Sequence, residues 1–471
     1  VQPQTGSQNN FNMQLPQAFT ERMQAQLGEE WPAFLEALSA PPPVSIRVNP
    51  SKGFSLKENA GKVKWNPDGF YLAKRPVFTL DPRFHAGAYY VQEASSMFIG
   101  EAVRQLVPPD RPVRALDLCA APGGKSTLLL SVLPAESLVL ANEVIRSRYQ
   151  ALRHNLIKWG YPNAGSSMHD SRDFGGLEGF FGLLLVDAPC SGEGLFRKSP
   201  EAAGEWSEGN VQLCAGRQKR ILADAVKLLA PDGLLLYCTC TYNRQENEEN
   251  ARWLRDSFGL RPEPLRIEPG WGIAGSGLGY QFYPHRLQGE GFYLAAFRKT
   301  GGSPYKAPRL RNPAPKGYQP VSAKTKEELR KWVSHSDSLA FFQDEAGRAI
   351  AVPESLREPV AQLSYALSRF EAGTELGQFK RSDFVPAPAL ALSSLAASSI
   401  PRVPLQREDA LKYLKKENIT LPGNDVEGWA LVACQGLPLG WIKGLKNRIN
   451  NYFPREWRIL MELEGKDLPS F

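Results

Sequence analysis

The chain is short of cysteine, methionine and histidine, with 6, 5 and 5 in 471 residues. Six cysteines are too few for a disulfide scaffold. No run of 18 apolar residues occurs, which excludes a hydrophobic transmembrane helix. Residues Val1–Pro16 are polar and rich in Gln and Asn, without the basic-then-apolar pattern of a secretory signal, so a cytoplasmic protein with no membrane partner is predicted. The chain opens on Val, and Val1–Asn10 is compatible with a leader or an appended segment. No internal repeat is found. Charge of neither sign dominates: 56 basic against 49 acidic residues leave +7. With 42% hydrophobic and 22% charged residues, disorder of the whole chain is excluded. The length suggests about three domains.

Residues 1–16 read as a flexible tail. Ala18–Leu38 carries apolar residues at helical spacing, and Pro41-Pro42-Pro43 stops it. Ser45-Ile46-Arg47-Val48-Asn49 alternates like a strand, and 17–87 is predicted as a small α+β region. From 88 to 300 the texture changes to apolar runs of strand length (113–118, 138–142, 164–169, 182–187, 234–238, 291–297). Helical stretches at 125–133, 145–159, 211–230 and 244–257 alternate with most of them. This predicts an α/β, Rossmann-like, mostly parallel sheet with ligands at the carboxyl ends of its strands. Residues 301–400 read as a basic linker and intermediate region. Eight Lys and Arg face two Glu between 301 and 333, and Pro386–Ser399 is an Ala/Ser/Leu/Pro run. Residues 401–471 resume folded character, with a helix at 408–416 and strands near 429–433 and 438–442.

The loop Cys119-Ala120-Ala121-Pro122-Gly123-Gly124-Lys125 ends the first strand and opens a helix. Small residues let a ligand approach the backbone, and the helix start offers free N–H groups. Gly124-Lys125-Ser126 matches the end of a nucleotide P-loop, and Leu183–Asp187 resembles its acidic strand. However, the first glycine of that pattern would fall on Cys119, and Pro122 has no N–H to give a phosphate. An S-adenosyl-L-methionine site fits better. Glu143, at the end of the second strand and 26 residues after Asp117, suits ribose hydroxyls; Asp170, at the end of the third, suits an adenine amino group. Either acid taken alone reads as a solvated strand-end residue, and their register is what favours a site.

Cys190 in Asp187-Ala188-Pro189-Cys190-Ser191-Gly192 and Cys240 in Tyr237-Cys238-Thr239-Cys240-Thr241 follow the fourth and fifth strands, and both should face one crevice. A thiolate adding to carbon 6 of a pyrimidine makes carbon 5 able to attack a sulfonium methyl group, and loss of the carbon-5 proton then expels the thiolate. Asp187 is the candidate acid near ring N3. A metal is not predicted: Cys-x-Cys lacks zinc-module spacing and no His is near. Cys214 and Cys434 read as core, Cys119 and Cys238 as core or site. The residues alone do not choose between Cys190 and Cys240 as nucleophile.

The motifs DLCAAPGGK, ANE, DAPCSGEG and YCTCT, in this order, resemble the Sun/Fmu (nucleolar protein/Sun) family of RNA cytosine-5 methyltransferases over about 40–300. Ser45–Asn49, Tyr90–Ser96 and Arg197-Lys198 also resemble family elements. The resemblance implies that Cys119, Ala120, Ala121, Pro122, Gly123, Gly124 and Lys125 hold the methionine part of S-adenosyl-L-methionine, that Glu143 holds the ribose and Asp170 the adenine, and that Asp187 touches cofactor and base. It further implies Cys240 as nucleophile and Cys190 in product release. In the family pattern Ser or Ala is common where this chain has Cys238.

Gly428–Val432, Pro438–Lys443 and Asn450–Pro454 resemble the PUA-like, RNA-binding α+β domain of bacterial 16S ribosomal RNA (cytosine-C5)-methyltransferases, which implies ribosomal RNA or the small ribosomal subunit as partner. A transfer-RNA cytosine-5 methyltransferase is the runner-up. A non-catalytic RNA-binding assembly factor is the alternative from another class, against which the paired thiols argue. Residues 1–300 carry 32 basic and 30 acidic residues, and 301–471 carry 24 and 19. Lys443 and Lys446 in the more basic part are therefore candidate RNA contacts, and the resemblance adds Arg47, Arg197 and Lys198, with Trp441, Tyr452, Phe453 and Trp457 either stacking on bases or filling the core of a small domain.

Overall fold

A computed structural model describes residues 15–56, 61–310, 313–381, 383–419, 426–446 and 448–462. The expected tail lies outside them except for Leu15 and Pro16. Among the described residues no helix is long and apolar enough to cross a membrane.

The centre is a twisted sheet with a helix after most parallel strands. Strands β1 (Arg114–Asp117), β2 (Leu138–Asn142), β3 (Ala164–Ser167), β4 (Phe181–Asp187) and β5 (Leu229–Thr239) run parallel in the order β3-β2-β1-β4-β5. Beyond β5 the sheet continues antiparallel through β7 (Phe292–Arg298) and β6 (Gly279–Phe282). Helices α1 (Gly124–Val132), α2 (Arg146–Trp159), α3 (Glu208–Leu228) and α4 (Glu248–Phe258) complete the units. The near-continuous apolar character of β2, β4 and β5 follows from this cover: Val139, Leu140, Leu184, Leu185, Leu235 and Leu236 are all enclosed. The order reverses between β1 and β4, which opens a crevice at their carboxyl ends.

The edge beyond β3 is closed by Phe370–Ala372, pairing antiparallel with it. The region read as linker and intermediate segment is thus folded from about 313 onward. It forms a five-stranded sheet (Tyr318–Pro320, Leu339–Asp344, Arg348–Pro353, Thr374–Lys380, Asp383–Pro386). The Ala/Ser/Leu run contains a short helix, Pro388–Leu392, whose Leu390, Ala391 and Leu392 are buried.

The expected single helix over 18–38 is two, Gln17–Leu27 and Trp31–Ser39, parted by a turn at Gly28, whose φ of +54° suits glycine. Their apolar face (Phe19, Met23, Phe34, Leu38) packs on Phe196, Trp206, Tyr242 and Tyr283, just downstream of the two cysteine loops. Strand Val44–Val48 lies inside a four-stranded sheet with Gly69–Leu72 and Tyr89–Val91. At the far end, Arg402–Leu405, Gly428–Cys434, Leu437–Leu445 and Arg448–Asn451 form a fourth sheet beside helix Arg407–Lys415. This sheet shares one core with the N-terminal region, through Ile46, Phe78 and Tyr89 against Leu411, Leu414, Val432 and Ile442.

Candidate active site

The crevice is built from four strand ends. After β1 the chain turns through Leu118–Gly123, held by Leu118 N–H to Leu185 O at 2.9 Å and Ala120 N–H to Asn142 O at 2.8 Å. Asn142 in turn donates to Leu118 O and His169 O and accepts from Ser167 Oγ, so one side chain registers the ends of β1, β2 and β3. The glycines before α1 are needed by packing as well as by any ligand. Gly123 has φ +107°, and a Cβ on Gly124 would lie 3.2 Å from the Tyr90 ring.

Two polar side chains of this turn bear on what it can bind. Ser126 donates to Asp117 Oδ2 at 2.7 Å, and Lys125 Nζ lies 2.7 Å from Asp187 Oδ2. Both groups are engaged with strand-end carboxylates rather than poised together toward a phosphate, and with Cys119 at the first glycine position the P-loop alternative gains no support. Burial pushes the Asp117 carboxyl up to about 7, against the lowering effect of Ser126. The Cys119 backbone N–H also acts on this carboxyl, and among the described residues its enclosed Oδ1 has no well-formed hydrogen bond. A buried acceptor without a donor is costly unless a ligand supplies one, so the turn fits a ligand with a cationic or N–H group. Burial works against the charge on Lys125, but Asp187 outweighs it and holds the ammonium above its usual range.

Glu143 is 4% exposed; its Oε1 accepts from Ile145 N–H and its Oε2 lies 3.5 Å from Arg148, leaving room for further donors. Asp170 caps the turn Ser171–Phe174 and pairs with Arg172 and Arg220 at 3.1 and 3.0 Å, so its charge already has partners on the chain.

Cys190 and Cys240 are brought together, both as free thiols, with Sγ to Sγ 3.0 Å and Cys240 N–H to Cys190 Sγ 3.3 Å. The hydrogen bond with Cys240, then burial, pushes the Cys190 thiol well above its ordinary value. Cys238 is enclosed within β5, with its sulfur 3.6 Å from Asp187 Oδ1. The segment after Cys190 is tied down from several sides. A Cβ on Gly194 would sit 2.8 Å from Cys240 O and 2.6 Å from Gly291 O. Enclosed Glu193 accepts from Arg22 at 2.6 Å, from Trp206 Nε1 at 3.0 Å and from Tyr242 N–H at 3.2 Å, linking the first helix to both cysteine loops. Cys214 and Cys434 are buried core. Among the described residues no group of three or more His, Cys, Asp and Glu could hold a metal ion.

The candidate RNA contacts divide. Arg47 is a correction: it is fully enclosed, donates to Gln92 Oε1, Thr127 Oγ1 and Gly124 O, and lies over Trp159 at 4.4 Å. It staples the N-terminal strand to the start of α1 and offers nothing to a phosphate. Arg197 is a second correction. With 6% of its side chain exposed, it pairs with Glu290 at 3.0 Å and donates to Ala37 O and Gly289 O. Lys198 and Lys446 are exposed, and Lys443 lies over Trp429 at 5.3 Å. Trp441 and Phe453 are core, Trp441 donating to Ala387 O at 2.8 Å, while Trp457 stacks on His154 of α2 at 4.4 Å. Tyr452 remains exposed.

Sequence reading missed Asn142 as a brace, Glu193 as a hub and Glu246 behind the cysteines. Each is a polar residue at a strand or helix end, and nothing local marks it as buried. A cavity of about 330 Å³ lies elsewhere, between α2 and strands Arg348–Pro353 and Phe370–Ala372, and no residue of the cysteine loops lines it.

The strand order, the small-residue turn at the switch point and the acids at successive strand ends define a Rossmann-like methyltransferase, whose fold binds S-adenosyl-L-methionine. A family model described as 16S rRNA methyltransferase RsmB/F matches residues 104–298. Models for the N-terminal domain of 16S rRNA methyltransferase RsmF and for the methyltransferase RsmF PUA domain match 15–94 and 401–459. Ribosomal RNA small subunit methyltransferase F of Cronobacter sakazakii is 30% identical over 94% of this chain and 96% of its own length, and that of Erwinia tasmaniensis 29% over the same shares. The solved methyltransferase homolog from Pyrococcus horikoshii has 29% identity and a TM-score of 0.52, covering 61% of this chain and 96% of its own. The chain belongs to the ribosomal RNA small subunit methyltransferase F family.

Proposed function

We propose that the protein methylates carbon 5 of a cytosine in small-subunit ribosomal RNA through a covalent bond to Cys240. The observation that carries this reading is the pair of thiols 3.0 Å apart after β4 and β5, with Cys190 three residues beyond the Asp187 that Lys125 holds. S-adenosyl-L-methionine supplies the electrophilic methyl group. Residues Cys119–Lys125 would hold its methionine part, with the unpartnered Asp117 Oδ1 suited to its amino group; Glu143 would take the ribose and Asp170 the adenine edge.

The Cys240 thiolate adds to carbon 6, and the carbon 5–carbon 6 π pair moves to carbon 5, which takes the methyl group as the methyl carbon–sulfur bond breaks and its electron pair stays on the leaving thioether sulfur. Addition is favoured when ring N3 carries a proton, and the Asp187 carboxylate, aimed by Lys125, would accept the hydrogen bond of that N3–H. A base, water or buffer reaching the open crevice, takes the carbon-5 proton; the C–H pair re-forms the carbon 5–carbon 6 double bond and the Cys240 sulfur leaves as thiolate, a step in which Cys190 assists. The base must leave any stack to reach this point. We take residues 17–87 and 401–471 to position the RNA around the 88–300 catalytic unit, in the cytoplasm where the subunit is made.

The test is methylation of small-subunit RNA and of transfer RNA with labelled donor, followed by digestion to nucleosides. Label in 5-methylcytidine from the ribosomal RNA is expected. Label only from transfer RNA would give the substrate to the runner-up, and label in another nucleoside would overturn the chemistry.

A further inference from the structure

Behind the two sulfurs lies a buried polar cluster that the reaction as drawn does not use. Ser191 and Thr241, each next to one cysteine, share a hydroxyl–hydroxyl hydrogen bond of 3.0 Å. Glu246 accepts from Ser191 N–H at 2.9 Å with one oxygen and from the Ser191 hydroxyl at 2.5 Å with the other. Gln218, reaching from α3, donates to the same carboxylate at 2.9 Å and to Pro189 O at 3.0 Å. Tyr237 and Asn250 hold Gln218 Oε1 at 3.0 and 2.7 Å. All of these side chains except Pro189 are enclosed. One carboxylate therefore fixes the Cys190 turn against the Cys240 turn, while touching neither sulfur.

We propose that Glu246 is a positioning residue for the methyl transfer, setting the separation of the Cys190 and Cys240 loops. The inference rests on the reading of Cys240 as nucleophile. A buried carboxylate with three donors is restrictive; it fixes Ser191 beside Cys190, and the Ser191 hydroxyl in turn meets Thr241 beside Cys240. The charge has a second effect. Cys190 is faced by Cys240 and by Glu246, and the Glu246 charge adds to what keeps Cys190 a neutral thiol. Glu246 itself faces Glu193, Cys190, Cys214 and Tyr237, and burial raises it above the usual carboxylate range.

Two variants separate shape from charge. A glutamine can keep the geometry: its oxygen takes the Ser191 N–H and Gln218, and its amide donates to the Ser191 hydroxyl, which turns to Thr241. Glu246→Gln is expected to keep kcat within about threefold of wild type. Glu246→Ala is expected to lose about tenfold or more in kcat with RNA KM and cofactor affinity little changed. In both, alkylation of Cys190 in the full-length protein, followed by peptide mass spectrometry from pH 7 to 11, should show its midpoint lower by about one unit. A merely loosened loop would raise labelling by one factor at every pH. Wild-type kcat in Glu246→Ala, or a tenfold loss in the shape-keeping Glu246→Gln, overturns the proposal; if the alanine variant does not fold, Glu246→Asp, which keeps the charge but draws the carboxylate back from Ser191, takes its place with the same expected loss. Cys240→Ala run alongside reads the nucleophile separately: its turnover would refute that assignment and leave the labelling contrast to judge Glu246.

Discussion

Lys125 and Asp187 meet at 2.7 Å across the switch point of the sheet, joining the turn after β1 to the end of β4 just ahead of Cys190. This ion pair gives the carboxylate a fixed aim while the ammonium stays charged, since Asp187 holds it above its usual range. Lys125→Met keeps the side-chain length and removes the charge. Single-turnover methylation by this variant is expected to slow by about a hundredfold, the lower end of what a positioned acid–base group contributes, with RNA affinity unchanged within about threefold. Because the wild-type lysine remains charged to high pH, no loss of rate between pH 7 and 9 should trace to it.

The lone oxygen of Asp117 sets a pH dependence. Its carboxyl, raised by burial to about 7, is neutral below that pH and charged above it. A cationic amino group of the cofactor needs the charged form, so affinity should weaken as pH falls from 8 to 6, approaching tenfold per unit once the acid is mostly protonated. Calorimetric titration of the cofactor checks this. Asp117→Asn should bind weakly at every pH without the slope; a flat wild-type curve would contradict the assignment.

Arg47 is expected to matter for folding and not for RNA. Arg47→Ala strands Gln92 and Thr127 in the interior and removes the cover over Trp159, a loss of about 3 kcal/mol from unsatisfied buried groups and poorer packing. Denaturant unfolding should show that loss, while the folded fraction binds RNA as wild type does. Arg47→Lys should rescue only part of it, because one ammonium cannot replace the planar fork.

These residues show what the sequence discloses and what it hides. Strand β2 coincides with the apolar run 138–142, and the strands on either side of the switch point were readable, because a sheet covered on both faces leaves unbroken apolar signatures. The turn at 119–125 and the cysteines at two strand ends were readable for a related reason, since their spacing from the strands fixes where they emerge. Arg47 was not, because an arginine in an alternating strand carries no mark of which face is covered. Neither was the pairing of Phe370–Ala372 with β3, a partnership some 200 residues away in the chain that no local period encodes. Gly28 broke a helix whose apolar spacing ran straight through it. Trp441 and Phe453, for which the sequence left stacking and core both open, are core, since aromatics between charges serve either end.

Half-buried Lys443 and exposed Lys446 are the remaining candidates for RNA contact in the small domain. Replacing Lys443 and Lys446 together by alanine should lower affinity for ribosomal RNA and reduce the slope of log affinity against log salt by roughly 0.7 to 0.9 for each phosphate no longer neutralised. Filter-binding across salt concentrations measures this. An unchanged slope would assign both lysines to the surface of the small domain alone.

The central claim is a bond between one sulfur and carbon 6 of the target ring. RNA carrying 5-fluorocytidine cannot lose a proton from carbon 5 after methyl transfer, so the adduct should persist. Protein incubated with that RNA and the methyl donor, then digested and mapped by mass spectrometry, should carry the nucleotide on the peptide holding Thr239-Cys240-Thr241. A nucleotide found on Cys190, or methylated RNA with no protein adduct at all, would contradict the account.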